Sequence, residues 1–148
     1  MSKLRHLVIF FWLMSLFCAW FATAQDVDLD LVTIGHRQTK SGHITAFRIY
    51  EAPDGTKGQL SYTEFDSLLA AQQQVEEWVK VTRTVTRREQ NRSKGGQLIS
   101  DRILAVADLP KSDKKEFVIM RRDDLKCYLI ESVSLQVATQ IEGLIEHK

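Results

Sequence analysis

Residues Lys115–Lys148 read KEFVIMRRDDLKCYLIESVSLQVATQIEGLIEHK, and they set the requirement that the rest of the fold has to meet. Glu116–Arg122 and Leu125–Glu131 are two short apolar runs around Asp123-Asp124, which is the pattern of a β-hairpin. Both alternate sides of each run are apolar. Phe117 and Ile119 share one side and Val118 and Met120 the other; Cys127 and Leu129 share one side and Tyr128 and Ile130 the other. Strands of that kind sit centrally in a sheet and need cover on both faces, at least in part. The segment ends in a helix that Ser132 or Ser134 can cap. Its stripe is Val137, Ala138, Ile141, Leu144 and Ile145, with Leu135 in the first turn. Gly143 weakens its last turn, at a cost of about 1 kcal/mol relative to alanine.

Upstream, Ser61-Tyr62-Thr63-Glu64 has the spacing of a capping box and predicts a helix from there to about Lys80. Phe65, Leu68, Leu69, Gln72, Val75 and Val79 form its stripe, with Trp78 at the flank. The β-branched alternation of Val81–Arg88 (VTRTVTRR) predicts a strand, with a helix continuing to Gln90 as the competing reading. Asn91–Gly96 is a turn, and Leu98–Ala107 returns as a second strand. Leu31–Arg37 and His43–Glu51 read as a further hairpin around Ser41-Gly42, and Pro53-Asp54-Gly55 as a turn. The expected fold is therefore α+β. It has one antiparallel sheet of about four main strands, Val81–Arg88, Leu98–Ala107, Glu116–Arg122 and Leu125–Glu131. Two helices pack on one face, and the Leu31–Glu51 hairpin either extends the sheet or packs on its other face.

The chain has 148 residues, enough for one domain. Residues 1–24 read as a secretory signal peptide. Lys3 and Arg5 precede the apolar run Leu7–Phe17, and Ala22-Thr23-Ala24 is a small-residue cleavage site. Retention of the leader as a membrane anchor is the alternative. Bulky Leu16-Phe17 before Cys18 argues against lipidation. Residues 25–148 are then a single exported domain, secreted or periplasmic. The full chain carries 20 basic and 19 acidic residues; without Lys3 and Arg5 the net charge is about −1. No global field toward phosphate results, so nucleic acid is not the expected partner. Cys127 is the only cysteine after the leader, so no internal disulfide is available. Within its apolar strand it reads as a buried, inert thiol. Asp26, Asp28 and Asp30 alternate in a solvated arm and lack the oxygen count of a calcium loop.

The basic residues concentrate on one ribbon. Lys80, Arg83, Arg87, Arg88, Arg92, Lys94 and Arg102 outnumber Glu89 and Asp101 by five. That ribbon is the candidate binding surface for a protein or an envelope polyanion, with Trp78 beside it. Trp78 reads first as a core-edge residue and second as a ligand platform. Little aromatic interleaving argues against single-stranded nucleic acid. Asn91-Arg92-Ser93 matches a glycosylation sequon, relevant only in a eukaryotic secretory path. Nucleotide-binding, dithiol, zinc-protease and nucleophile-elbow motifs are absent from the sequence. His36 and His43 come near each other across the first hairpin but have no third ligand. Neither metal nor cofactor is expected. The function expected is non-enzymatic binding or scaffolding outside the cytoplasm. The alternatives are a small exported hydrolase and an inhibitor or chaperone-like partner domain.

Overall fold

A computed structural model describes residues 27–146, with the exception of residues 40, 83, 110 and 111. The leader, Asp26, Arg83 and His147 lie outside the described residues. The strands are β1 (Asp30–Gln38), β2 (Ile44–Glu51), β3 (Lys57–Glu64), β4 (Thr84–Arg92), β5 (Leu98–Asp108), β6 (Lys115–Asp123) and β7 (Lys126–Ser132). Helix α1 (Leu68–Val81) links β3 to β4, and α2 (Leu135–Glu146) follows β7. All seven strands form one sheet in the order β1-β2-β3-β7-β6-β5-β4. Every neighbouring pair is antiparallel. Two meanders, β1–β3 and β4–β7, are thus joined where β3 pairs with β7.

The four-strand expectation is corrected to seven. Strands β4 to β7 are the four anticipated, and the first hairpin extends the sheet as β1 and β2. The strand that sequence reading missed is β3, and with it the junction of the two meanders. Ser61-Tyr62-Thr63-Glu64 is not a capping box but the second half of that strand. Leu60 faces Ile130 and Tyr62 faces Tyr128 across to β7. Ser61 and Thr63 point to the other side and are buried. The Thr63 hydroxyl is satisfied by the Thr45 hydroxyl of β2 at 2.7 Å. Paired hydroxyls can be buried at little cost, so a strand face that looks polar in sequence lies inside. The helix is capped six residues later than predicted, where the Ser67 hydroxyl accepts from the Ala70 amide at 3.2 Å. It ends at Val81, where the amide and hydroxyl of Thr82 both donate to the Trp78 carbonyl. The strand reading therefore holds from Thr84 to Arg92, whereas Val81, expected to open that strand, closes the helix.

The helices lie on opposite faces, which corrects the one-face arrangement. Residues paired across antiparallel strands share a face, so the register sorts the core. Leu104, Ile119, Ile130 and Leu60 are successive partners along one face. Their side packs with Tyr50 and with Val137, Ala138 and Ile141 of α2. Ile103 and Met120 are partners on the opposite face, where Ala105, Val118 and Cys127 pack with Ala71 and Val75 of α1. The α1 stripe is correspondingly narrower than predicted: Leu69 is 64% exposed and Phe65, though buried, precedes the helix.

Buried charge fastens both layers. On the α1 face, Arg88 of β4 donates in bidentate fashion to Asp101 of β5 and reaches Glu76 of α1 at 2.6 Å. On the α2 face, Arg102 of β5 holds Glu142 of α2 through two bonds of 2.6 Å. Arg122, fully buried, donates to the carbonyls of Asp124 and Leu98 at 2.9 Å and so fixes the β6–β7 turn. In that turn Asp124 takes φ 53°, a conformation its short polar side chain tolerates. Ser134 starts α2 by accepting from the Val137 amide at 3.3 Å.

Gly58 of β3 lies directly beneath α2. A Cβ there would stand 2.4 Å from Cδ1 of Ile141 and 3.0 Å from Cγ1 of Val137. Gly58→Val is expected to destabilise the protein by about 1–3 kcal/mol through overpacking. Urea denaturation with unchanged slope measures it; a variant as stable as wild type would contradict the seating of α2 on β3.

Candidate functional site

The ribbon predicted to bind anions is β4–β5, and its cations are divided between the two faces. Arg88 points to the α1 face and Arg87 and Arg102 to the α2 face, by the register of their partners Ile103, Leu104 and Arg121. Arg88 is committed to Asp101 and Glu76, and Arg102 to Glu142. The hydrogen bond to Asp101, followed by that to Glu76, pushes the Arg88 pKa well above its ordinary value. Arg87 pairs with Glu89, and Arg92 donates to the Gly96 carbonyl at 3.1 Å. Lys80 and Lys94 are exposed, at the end of α1 and in the β4–β5 turn. Trp78 is partly buried against the α1-side core. Four of the seven cations are therefore held by groups of this chain, two of them as struts between helix and sheet.

A different cluster forms on the α2 face, beyond the C-terminal half of α2. Arg48 and Tyr50 come from β2, Leu60 and Tyr62 from β3, Lys126 and Tyr128 from β7, and Leu144 and Ile145 from α2. Together they line a groove of about 270 Å³. Cross-strand register brings them together: Arg48 is the partner of Leu60, and Tyr62 of Tyr128. The two tyrosine rings lie 5.2 Å apart, tilted by 34°. The Tyr62 hydroxyl donates to Oε2 of Glu64 at 2.7 Å. Burial first, and then this bond, push the Tyr62 pKa up to about 12. Burial, then nearby Asp123, raise that of Tyr128. Both phenols are neutral donors at ordinary pH. Arg48 and Lys126 have no ion pair among the described residues, in contrast to the ribbon arginines. Sequence reading missed this groove because its residues are spread over four elements, and one of the strands, β3, was not anticipated.

Other candidate chemistry is not assembled. The imidazole of His43 lies 3.8 Å from Asp66 and its ring 4.7 Å from Phe65, while His36 sits on β1. Among the described residues no group of three metal-ligating side chains converges. No described helix is long and apolar enough to cross a membrane. Cys127 is fully buried, and its thiol donates to the Ala71 carbonyl at 3.4 Å. Burial is the main cause that pushes its pKa up to about 12; Arg122 opposes the shift and Asp123 adds to it. No protein-family model, curated protein or solved structure matches the chain.

The thiolate is the reactive form, so Cys127 of the folded protein is expected to resist a thiol reagent at mildly alkaline pH. The urea-unfolded chain should label fully, and rapid labelling of the folded protein would refute the burial. The same shift acts on stability. The folded state binds this proton more tightly than the unfolded one, so its contribution is complete below about pH 9. It is lost as pH rises toward 12 and the unfolded thiol ionises first. Unfolding free energy measured across that window should fall less steeply in Cys127→Ala.

Proposed function

We propose that this chain is an exported binding protein that receives an organic anion with an apolar body in the Arg48–Tyr62–Lys126–Tyr128 groove. The carrying observation is the contrast between cations. Arg88 and Arg102 of the ribbon are neutralised by carboxylates of the chain, whereas Arg48 and Lys126 line a concave surface and form no ion pair among the described residues. Export rests on the leader pattern of residues 1–24. A few polar groups converging on an apolar depression suit ligand binding. Here Arg48 and Lys126 offer charge, the Tyr128 phenol offers a hydrogen bond, and Leu60, Leu144 and Ile145 offer apolar wall. A carboxylate, sulfonate or phosphate head on a short apolar chain matches that set. Neither histidine, serine nor cysteine lines the groove, which favours binding over nucleophilic hydrolysis.

Octanoate is a suitable probe and octanol its uncharged control. Titration calorimetry should give octanoate binding that Arg48→Ala and Lys126→Ala each weaken about tenfold, the scale of one charge-assisted hydrogen bond. Octanol should bind more weakly, and Arg87→Ala or Lys94→Ala should leave octanoate affinity unchanged. Affinity that follows the ribbon variants and ignores Arg48 and Lys126 would return the site to β4–β5. Mass spectrometry of the exported protein tests the leader: a mass beginning at Gln25 is expected, and one retaining Met1–Ala24 would contradict cleavage.

A further inference from the structure

The sheet has two edges, and they are built differently. β4 reads TVTRREQNR; it is exposed throughout and interrupted by two irregularities, between Val85 and Arg87 and between Asn91 and Arg92. Charge and bulges of that kind prevent a further strand from pairing. β1 reads DLVTIGHRQ and has one irregularity, between Leu31 and Thr33. From Thr33 to Gln38 its register with β2 is continuous. Its apolar residues face water: Leu31 is 46% exposed, Ile34 61%, and Ile44 at the start of β2 66%. Leu31 and Ile34 are the partners of Tyr50 and Arg48, and Ile44 alternates with Arg48 along β2, so these three lie on one face, the face of α2 and the groove. A regular, apolar edge is a place where another strand adds.

We propose that β1 is the interface between two copies of this chain, paired antiparallel about a two-fold axis to make one continuous sheet. The charge pattern selects this occupant. Asp28 and Asp30 stand at the N-terminal end of β1, and Arg37 at the C-terminal end. An antiparallel second copy brings acid against base at both ends, while a parallel copy would set like charges together. The β4 edge, interrupted by its two irregularities, gives β1 no continuous register to pair with, and a β1–β4 contact would produce an open array. A two-fold axis normal to the sheet keeps the same face on the same side in both copies. Leu31, Ile34 and Ile44 of each copy then merge into one apolar patch, and the two grooves open to the same side. The interface is closed because it is isologous.

The test is the molar mass of the protein purified after expression from the full sequence, by light scattering over a hundredfold range of concentration. A dimer is expected. Ile34→Lys should weaken it by about a hundredfold, since the axis would then hold two lysines in an apolar seam. Circular dichroism and melting temperature should be unchanged, because Ile34 is exposed in the monomer. Asp30→Arg and Arg37→Asp should each weaken it about fivefold, and the double exchange should restore it. These exposed substitutions keep the test open if Ile34→Lys fails to fold. A monomer at all concentrations overturns the proposal, including a monomer that captures an extended peptide at this edge. So does a dimer that is indifferent to Ile34→Lys and to the charge exchanges.

Discussion

Strands β6 and β7 carry apolar side chains on both faces, and the architecture follows from the need to keep water off both. Ile119 and Ile130 point one way and Met120 and Cys127 the other, and all four are fully buried. Fully burying a side chain of this size is worth about 1.5–3 kcal/mol. Covering one face alone would leave half of that gain unrealised and an apolar surface in water. The chain meets the requirement with one helix per face: α1 arrives from the β3–β4 connection and α2 folds back from the end of β7. β5 covers the outer flank of β6 and β3 that of β7, so the central position of β7 depends on a strand nearly 70 residues upstream.

Burial falls off from this centre toward the edges, and the polar groups follow it. Near the centre, charge is tolerated only where it is bonded. Asp101 is 2% exposed and is held by Arg88 and Gln90. Glu142 is 6% exposed and is held by Arg102. Removing one partner of such a pair strands a charge at low dielectric, which costs more than the pair itself contributes. The arginines that make β4–β5 look like an anion-binding ribbon therefore serve partly to fasten α1 and α2 to the sheet. Arg48 and Lys126, by contrast, form no ion pair among the described residues.

The hairpins around Ser41-Gly42, Asn91–Gly96 and Asp123-Asp124, and the closing helix, were legible because alternation, turn residues and helical spacing are local signals. The two-sided apolarity of β6 and β7 was also legible, and it already implied cover on both faces. Placing both predicted helices on one face conflicted with it. β3 was not legible because its buried positions include Gly58, Ser61 and Thr63. Gly58 is selected by the closeness of α2 and Thr63 by a hydroxyl partner on β2, and both reasons are long-range. Charge counting likewise located the ribbon but not its partners: Glu76 and Glu142 lie 12 and 40 residues away from the arginines they bind. The groove assembles four elements and leaves no local pattern in the sequence at all.

The central claim is a sheet covered by one helix on each face, and methyl-resolved nuclear Overhauser contacts test it most directly. Contacts from Ile141 to Leu60 and Ile130, together with contacts from Val75 to Ile103 and Met120, are the predicted result. Contacts from both helices to the same set of sheet residues, Val75 and Ile141 each reaching Ile130, would contradict it.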